Sequence, residues 1–157
     1  MAITETAPRG TARVVLALVA FASGVLLLSH AAVQGVGALA FWQPCWSQGY
    51  GSGACASLQY EAPTPEWLAP LWVWFAELLL AIAVLALSMR AQGRIVPAAV
   101  ALLAVLGSSI LVDYVFTPAI NGGYLSADNP PGFGLIGAAC QAVAGVLLLV
   151  TAVPPRR

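Results

Sequence analysis

The stretch LWVWFAELLLAIAVLALSMRAQGRIVPAAVALLAVL, residues 71 to 106, consists of two apolar runs joined by the short basic link Arg90-Ala91-Gln92-Gly93-Arg94. Glu77 is the single acid of the first run, and the second continues to Phe116 with Asp113 as its only charge. Runs of this kind approach the ~20 apolar residues a helix needs to cross a hydrocarbon core. Basic residues gathered in the link belong at a membrane face. The stretch therefore predicts two spanning helices that return to the side from which they started.

Working outward, two more apolar runs flank this pair, from Val14 to Phe41 and from Gly134 to Val153. The whole chain of 157 residues is 61% hydrophobic and 8% charged, with a mean hydropathy of +0.90. Soluble domains are about half apolar and about a quarter charged, so one aqueous core cannot hide this much apolar surface. The expected fold is all-α: a single membrane domain over residues 1–157, an integral four-helix bundle with spans at about 14–41, 71–89, 95–116 and 134–153. The first run is longer than a span requires, and Gly35 and Gly37 predict that its outer end bends or frays.

Arginine supplies every basic side chain except His30, because the chain has no lysine. Arg9 and Arg13 precede the first span, Arg90 and Arg94 sit between the second and third, and Arg156 and Arg157 follow the fourth. All fall on one face, which the positive-inside rule makes cytoplasmic, with both termini inside. The two other connections, about 42–70 and 117–133, carry Glu61, Glu66 and Asp128 and no base, so they face outward. The location expected is the cell (plasma) membrane. A cleaved signal peptide is the rival reading: Arg9 and Arg13 as its charged region, Val14 to Leu28 as its apolar region and Ser29-His30-Ala31 as its cleavage site. Against it, apolar character continues from Val36 to Trp42.

On the outer side, CWSQGYGSGAC places Cys45 and Cys55 at the ends of a Gly-rich stretch. Thiols are not kept reduced outside the cytoplasm, and Gly49, Gly51 and Gly53 let so short a chain turn back on itself. A structural disulfide is expected, with an exchangeable bond or free thiols as the alternatives. In the chain-entropy model closing a loop of this size restricts the unfolded ensemble by roughly 3 kcal/mol. Zinc would need more Cys or His nearby, and a thioredoxin-like centre would use C-x-x-C. Cys140, within the fourth span, reads as a small buried apolar residue. The other outer loop, GGYLSADNPPGFG from Gly122 to Gly134, reads as successive turns before a helix or as a docking loop.

Each span carries a polar residue toward its outer half. At 1.5 Å per residue from the nearest arginine, His30 lies roughly 26 Å up, Glu77 roughly 20 Å, Asp113 roughly 28 Å and Gln141 roughly 22 Å. Ionisable groups at membrane depth are costly and face a bundle interior or a wet cavity, which makes this layer a candidate site. The same residues serve equally as interhelical hydrogen-bonding groups or interface residues. Aromatics share the asymmetry: Trp42, Trp46, Trp67, Trp72 and Trp74, with Tyr50, Tyr60, Tyr114 and Tyr124, all fall in the outer loops or outer ends of spans. Belts normally mark both interfaces, so these rings are a candidate outer docking surface for the disulfide loop, for a protein or for a quinone. On the fourth span Gly134, Ala138 and Ala142 form one row of small residues, and Gly137 and Gly145 flank Gln141 in a second; such rows let helices approach closely, within the bundle or between subunits.

Catalysis has little to work with here. There is no Gly-rich phosphate loop, no nucleophile with a base at recognisable spacing and no set of histidines for haem or metal, so no catalytic or metal-ligating residue is assigned. No nucleic-acid partner is expected. The stretch FAELLLAIAVLALSMRAQGRIVPAAVALLAVL from Phe75 to Leu106, with Arg13 and Gly24 in the first span, resembles small four-helix membrane proteins of the DoxX type, in which a Glu opens the second helix and an Arg follows it. That resemblance covers about a third of the chain and implies a redox-linked membrane protein, sometimes quinone-linked, with Glu77 as the residue carried over. The family's usual glycines in the second helix are Ala or Leu here. Trp42-x-x-Cys45 with Cys55 is also similar to the first outer loop of claudin-type proteins, but the loop is too short for the claudin sheet. The function expected is a non-catalytic accessory or stabilising subunit of a larger bacterial-type membrane complex, with other membrane subunits and the bilayer as partners. The alternatives are a DoxX-like redox-linked protein with a quinone as its candidate cofactor, and a proton or cation pathway through the polar layer.

Overall fold

The computed structural model describes residues 7–60, 71–108 and 132–154. They form six helices: α1 Ala7–Phe41, α2 Gln43–Gln48, α3 Gly53–Tyr60, α4 Leu71–Ala91, α5 Ile95–Gly107 and α6 Gly132–Ala152. Three of them, α1, α4 and α6, are long and apolar enough to cross a membrane, and the described part of α5 is a shorter apolar helix. No strand occurs among the described residues. The fully apolar sequence explains both surfaces of the assembly. Leu27, Val84, Val105 and Leu148 fill the interior among small residues such as Ala20, Ala81, Ala101 and Ala144. Meanwhile Leu18, Phe21, Val36, Leu79, Val96 and Leu103 stand exposed. Apolar patches of this extent on the outside suit lipid contact rather than water.

α1 packs along α6 and against α4, while α5 packs against α4 and α6. The α1–α6 contact is the closest because glycines meet there. A Cβ on Gly24 would lie 2.9 Å from the Gly145 carbonyl oxygen and 2.8 Å from Leu149 Cγ, and one on Gly145 would lie 3.0 Å from the Gly24 carbonyl oxygen. Backbone thus approaches backbone where side chains are missing, as small-residue rows allow. The Gly137, Gln141, Gly145 row faces α1 and serves the bundle itself. The expected fraying near Gly35 and Gly37 does not occur: α1 stays helical to Phe41. α6 lies close enough to support it, since a Cβ added at Gly35 would meet the Ala138 methyl at 3.5 Å.

The link between α4 and α5 closes tightly. The Gly93 N–H donates to the Ser88 carbonyl at 2.8 Å and the Gln92 N–H to that of Met89 at 3.3 Å. This is the helix-ending pattern in which a left-handed residue follows the last turn. That residue is Gln92, at φ +51, where glycine would be unstrained. Gly93 leaves room for α1: a Cβ there would reach 2.9 Å from Leu16 Cδ2, and that side chain would have to shift.

Candidate functional site

Glu77 lies on α4 facing inward and has no exposed surface at all (0%). Its Oε1 is 2.6 Å from His30 Nδ1 of α1, and its Oε2 accepts a hydrogen bond from Gln141 Nε2 of α6 at 3.2 Å. One carboxyl group therefore ties three helices. The contact fits either direction of donation, Nδ1–H to the carboxylate or a protonated carboxyl to Nδ1. Two atoms of the cluster, His30 Nε2 and Gln141 Oε1, are buried without a hydrogen-bond partner among the described residues.

Of the four residues expected to share a layer, His30, Glu77 and Gln141 are brought together, while Asp113 lies outside the described residues. Sequence reasoning passed over Gln34, which is buried one turn beyond His30 on α1. Its carboxamide fits against Gly137 of α6, where a Cβ would come within 3.1 Å of Gln34 Nε2. The signal was available: a polar residue four positions after His30 falls on the same helix face. Among the described residues no three of His, Cys, Asp and Glu are grouped as metal ligands.

Cys45 and Cys55 are joined by a disulfide with a Cα–Cα distance of 4.6 Å. The link between them is more ordered than its composition predicts, because local devices start a helix on each side. Pro44 sits in the first turn of α2, where its missing N–H costs nothing. Ser52 caps α3 by accepting the Cys55 N–H at 3.2 Å through its Oγ, the usual role of serine at that position. Between them the chain turns with the Ser52 N–H on the Gly49 carbonyl at 3.1 Å, and Gly49 takes φ +92. Both sulfurs pack beneath Trp42, with Phe41 and Leu58 at the edge. Cys140 is a free, half-buried thiol.

The tryptophans divide into two groups by burial, and Trp42 packs on the disulfide, one of the uses expected of these rings. Trp42 is buried over the disulfide, and Trp74 is buried between helices. The indole N–H of Trp74 donates to the Val105 carbonyl at 2.9 Å, which also accepts the Ser108 hydroxyl at 2.8 Å. Burial of the Trp74 ring together with use of its one donor accounts for its inward position. Trp46 and Trp72 remain outside, 47% and 77% exposed. Trp67 lies outside the described residues, as does most of the 122–134 loop.

At the opposite end of α1 from the disulfide, Arg13 and Arg94 border a cavity of about 250 Å³ shared by α1, the α4–α5 link and the end of α6. No protein-family model matches the chain, and neither a curated protein nor a solved structure matches it.

Proposed function

We propose that this chain is an integral protein of the plasma membrane with four spans, its arginine-bearing end and both termini in the cytoplasm and its disulfide-closed cap outside. In this reading it is a non-catalytic accessory subunit that stabilises a larger membrane complex. The observation that carries it is how the deep acid is used: both oxygens of Glu77 are taken by side chains of α1 and α6. The deepest acid thus acts as a tie between helices, while Trp46 and Trp72 are left exposed to meet a neighbour. Interfaces favour such rings because they bury much area at little conformational cost.

Purification in mild detergent tests this. The chain is expected to run with other membrane subunits at fixed ratio, and deleting it is expected to lower the yield of that assembly. A chain that runs alone with a quinone-like absorbance would instead favour the redox-linked reading that the DoxX resemblance implies. A proton-binding role is the second reading, favoured by the 2.6 Å contact of His30 with Glu77 inside the bundle. Glu77→Gln separates the two. An assembled complex that keeps its activity supports the accessory role, and one that assembles but loses activity supports proton binding.

A further inference from the structure

The cavity at the arginine end is walled largely by carbon. Leu16 of α1 and Pro154 after α6 line it, and Thr151, which also borders it, spends its hydroxyl on the Leu147 carbonyl at 2.8 Å. The other polar residues of its lining are Arg13, Gln92 and Arg94. The only ion pair recorded among the described residues is His30 with Glu77, so neither of these arginines has an acidic partner there. In the sequence Glu5 is the one acid near this end, against six arginines. Two residues of fixed positive charge bordering an apolar hollow match one kind of molecule: an amphiphile with an anionic head.

We infer that this cavity is a binding site for an anionic glycerophospholipid of the cytoplasmic leaflet, its phosphate held by Arg13 and Arg94 and the start of one acyl chain lying against Leu16. At about 250 Å³ the hollow lies below the ~300–1,000 Å³ of common ligand sites, so it takes only part of the lipid, the phosphate and the start of one chain. Basic hollows between helices on the cytoplasmic side are suited to this recognition, because the guanidinium fork pairs with phosphate oxygens while the apolar wall receives carbon. Gln92, at φ +51, adds a donor beside the two cations. The site rests on the proposed membrane orientation, and the two fail differently: a wrong orientation appears in cysteine labelling, a wrong site in lipid selectivity of the folded chain.

Native mass spectrometry of the detergent-purified full chain, equilibrated with equal phosphatidylglycerol and phosphatidylcholine, tests the assignment. One phosphatidylglycerol is expected to be retained in preference to phosphatidylcholine. Arg13→Gln with Arg94→Gln is expected to reduce that preference roughly thirtyfold, about 2 kcal/mol for two arginines near a lipid surface. Arg90→Gln removes the same charge from the same end but from outside the cavity, and it is expected to leave the preference unchanged. Inorganic phosphate alone is expected to compete weakly, since it lacks the chain. Equal retention of the two lipids by wild type would overturn the site, as would an equal loss in Arg90→Gln. If the double variant does not fold, filling the hollow by Ala17→Phe decides: lost preference with both arginines present supports the site, and unchanged preference refutes it.

Discussion

Replacing Glu77 by Gln and by Leu separates a hydrogen-bonded tie from a charged one. Leu keeps the bulk but removes both acceptors, leaving His30 Nδ1 and Gln141 Nε2 (2.6 and 3.2 Å from the carboxyl oxygens) without them. Hydrogen bonds between membrane helices average ~0.6 kcal/mol and reach ~1.7, so Glu77→Leu is expected to destabilise by about 1–3 kcal/mol. Gln keeps one acceptor and gains a donor. Rotation of the Gln141 amide presents its Oε1, which has no partner among the described residues, to that donor. Both contacts are then preserved, and the expected change is under about 1 kcal/mol, with neither proton placement required. Reversible unfolding in mixed micelles of increasing denaturing detergent measures the difference. Equal losses in the two variants would refute the reasoning, because they would mean that charge and not hydrogen-bond geometry holds the layer.

Other expectations follow from the packing. Gly24→Ala places a methyl 2.9 Å from the Gly145 carbonyl oxygen and is expected to lower stability by about 1–3 kcal/mol. Gly35→Ala, 3.5 Å from the Ala138 methyl alone, is expected to be neutral or stabilising by up to ~1 kcal/mol through helix propensity; thermal midpoints of the pair give the comparison. Cys45→Ser with Cys55→Ser is expected to release roughly 3 kcal/mol of loop constraint, seen as faster proteolysis between residues 43 and 60 with α1 and α6 intact. Gln92→Gly relieves a left-handed backbone and is expected to raise stability by up to ~1 kcal/mol, whereas Gln92→Val is expected to lower it. Matching midpoints for the last two would remove the strain argument.

The long helices were legible because their signal is composition over many residues, and lipid outside plus carbon inside leaves no other way to satisfy the backbone. Three of the four polar residues expected in one layer meet for the same reason: distance along a helix is fixed, so residues at similar height on packed helices come together. Which helix faces which was not legible. The Gly24–Gly145 approach depends on a crossing between residues far apart in sequence, and glycine was too common to single out this pair. Which tryptophans turn inward was only partly legible, because exposure cannot be inferred from a ring's place along the chain. Trp42 packs on the disulfide, whose Cys45 lies three residues away, whereas the Val105 carbonyl that receives the Trp74 indole N–H is distant in sequence. The short helices beside the disulfide escaped notice because six and eight residues are too few for a periodic pattern, and their capping serine and first-turn proline are local cues that also occur in turns.

The orientation on which the proposed role and the lipid site both rest is tested by labelling the cysteines in intact cells with a membrane-impermeant thiol reagent, in a Cys140→Ser background. Cys45 and Cys55 are joined, so no label is expected before reduction and two labels per chain are expected after it. Labelling after reduction only once the membrane has been opened would place the disulfide cap in the cytoplasm and contradict the account.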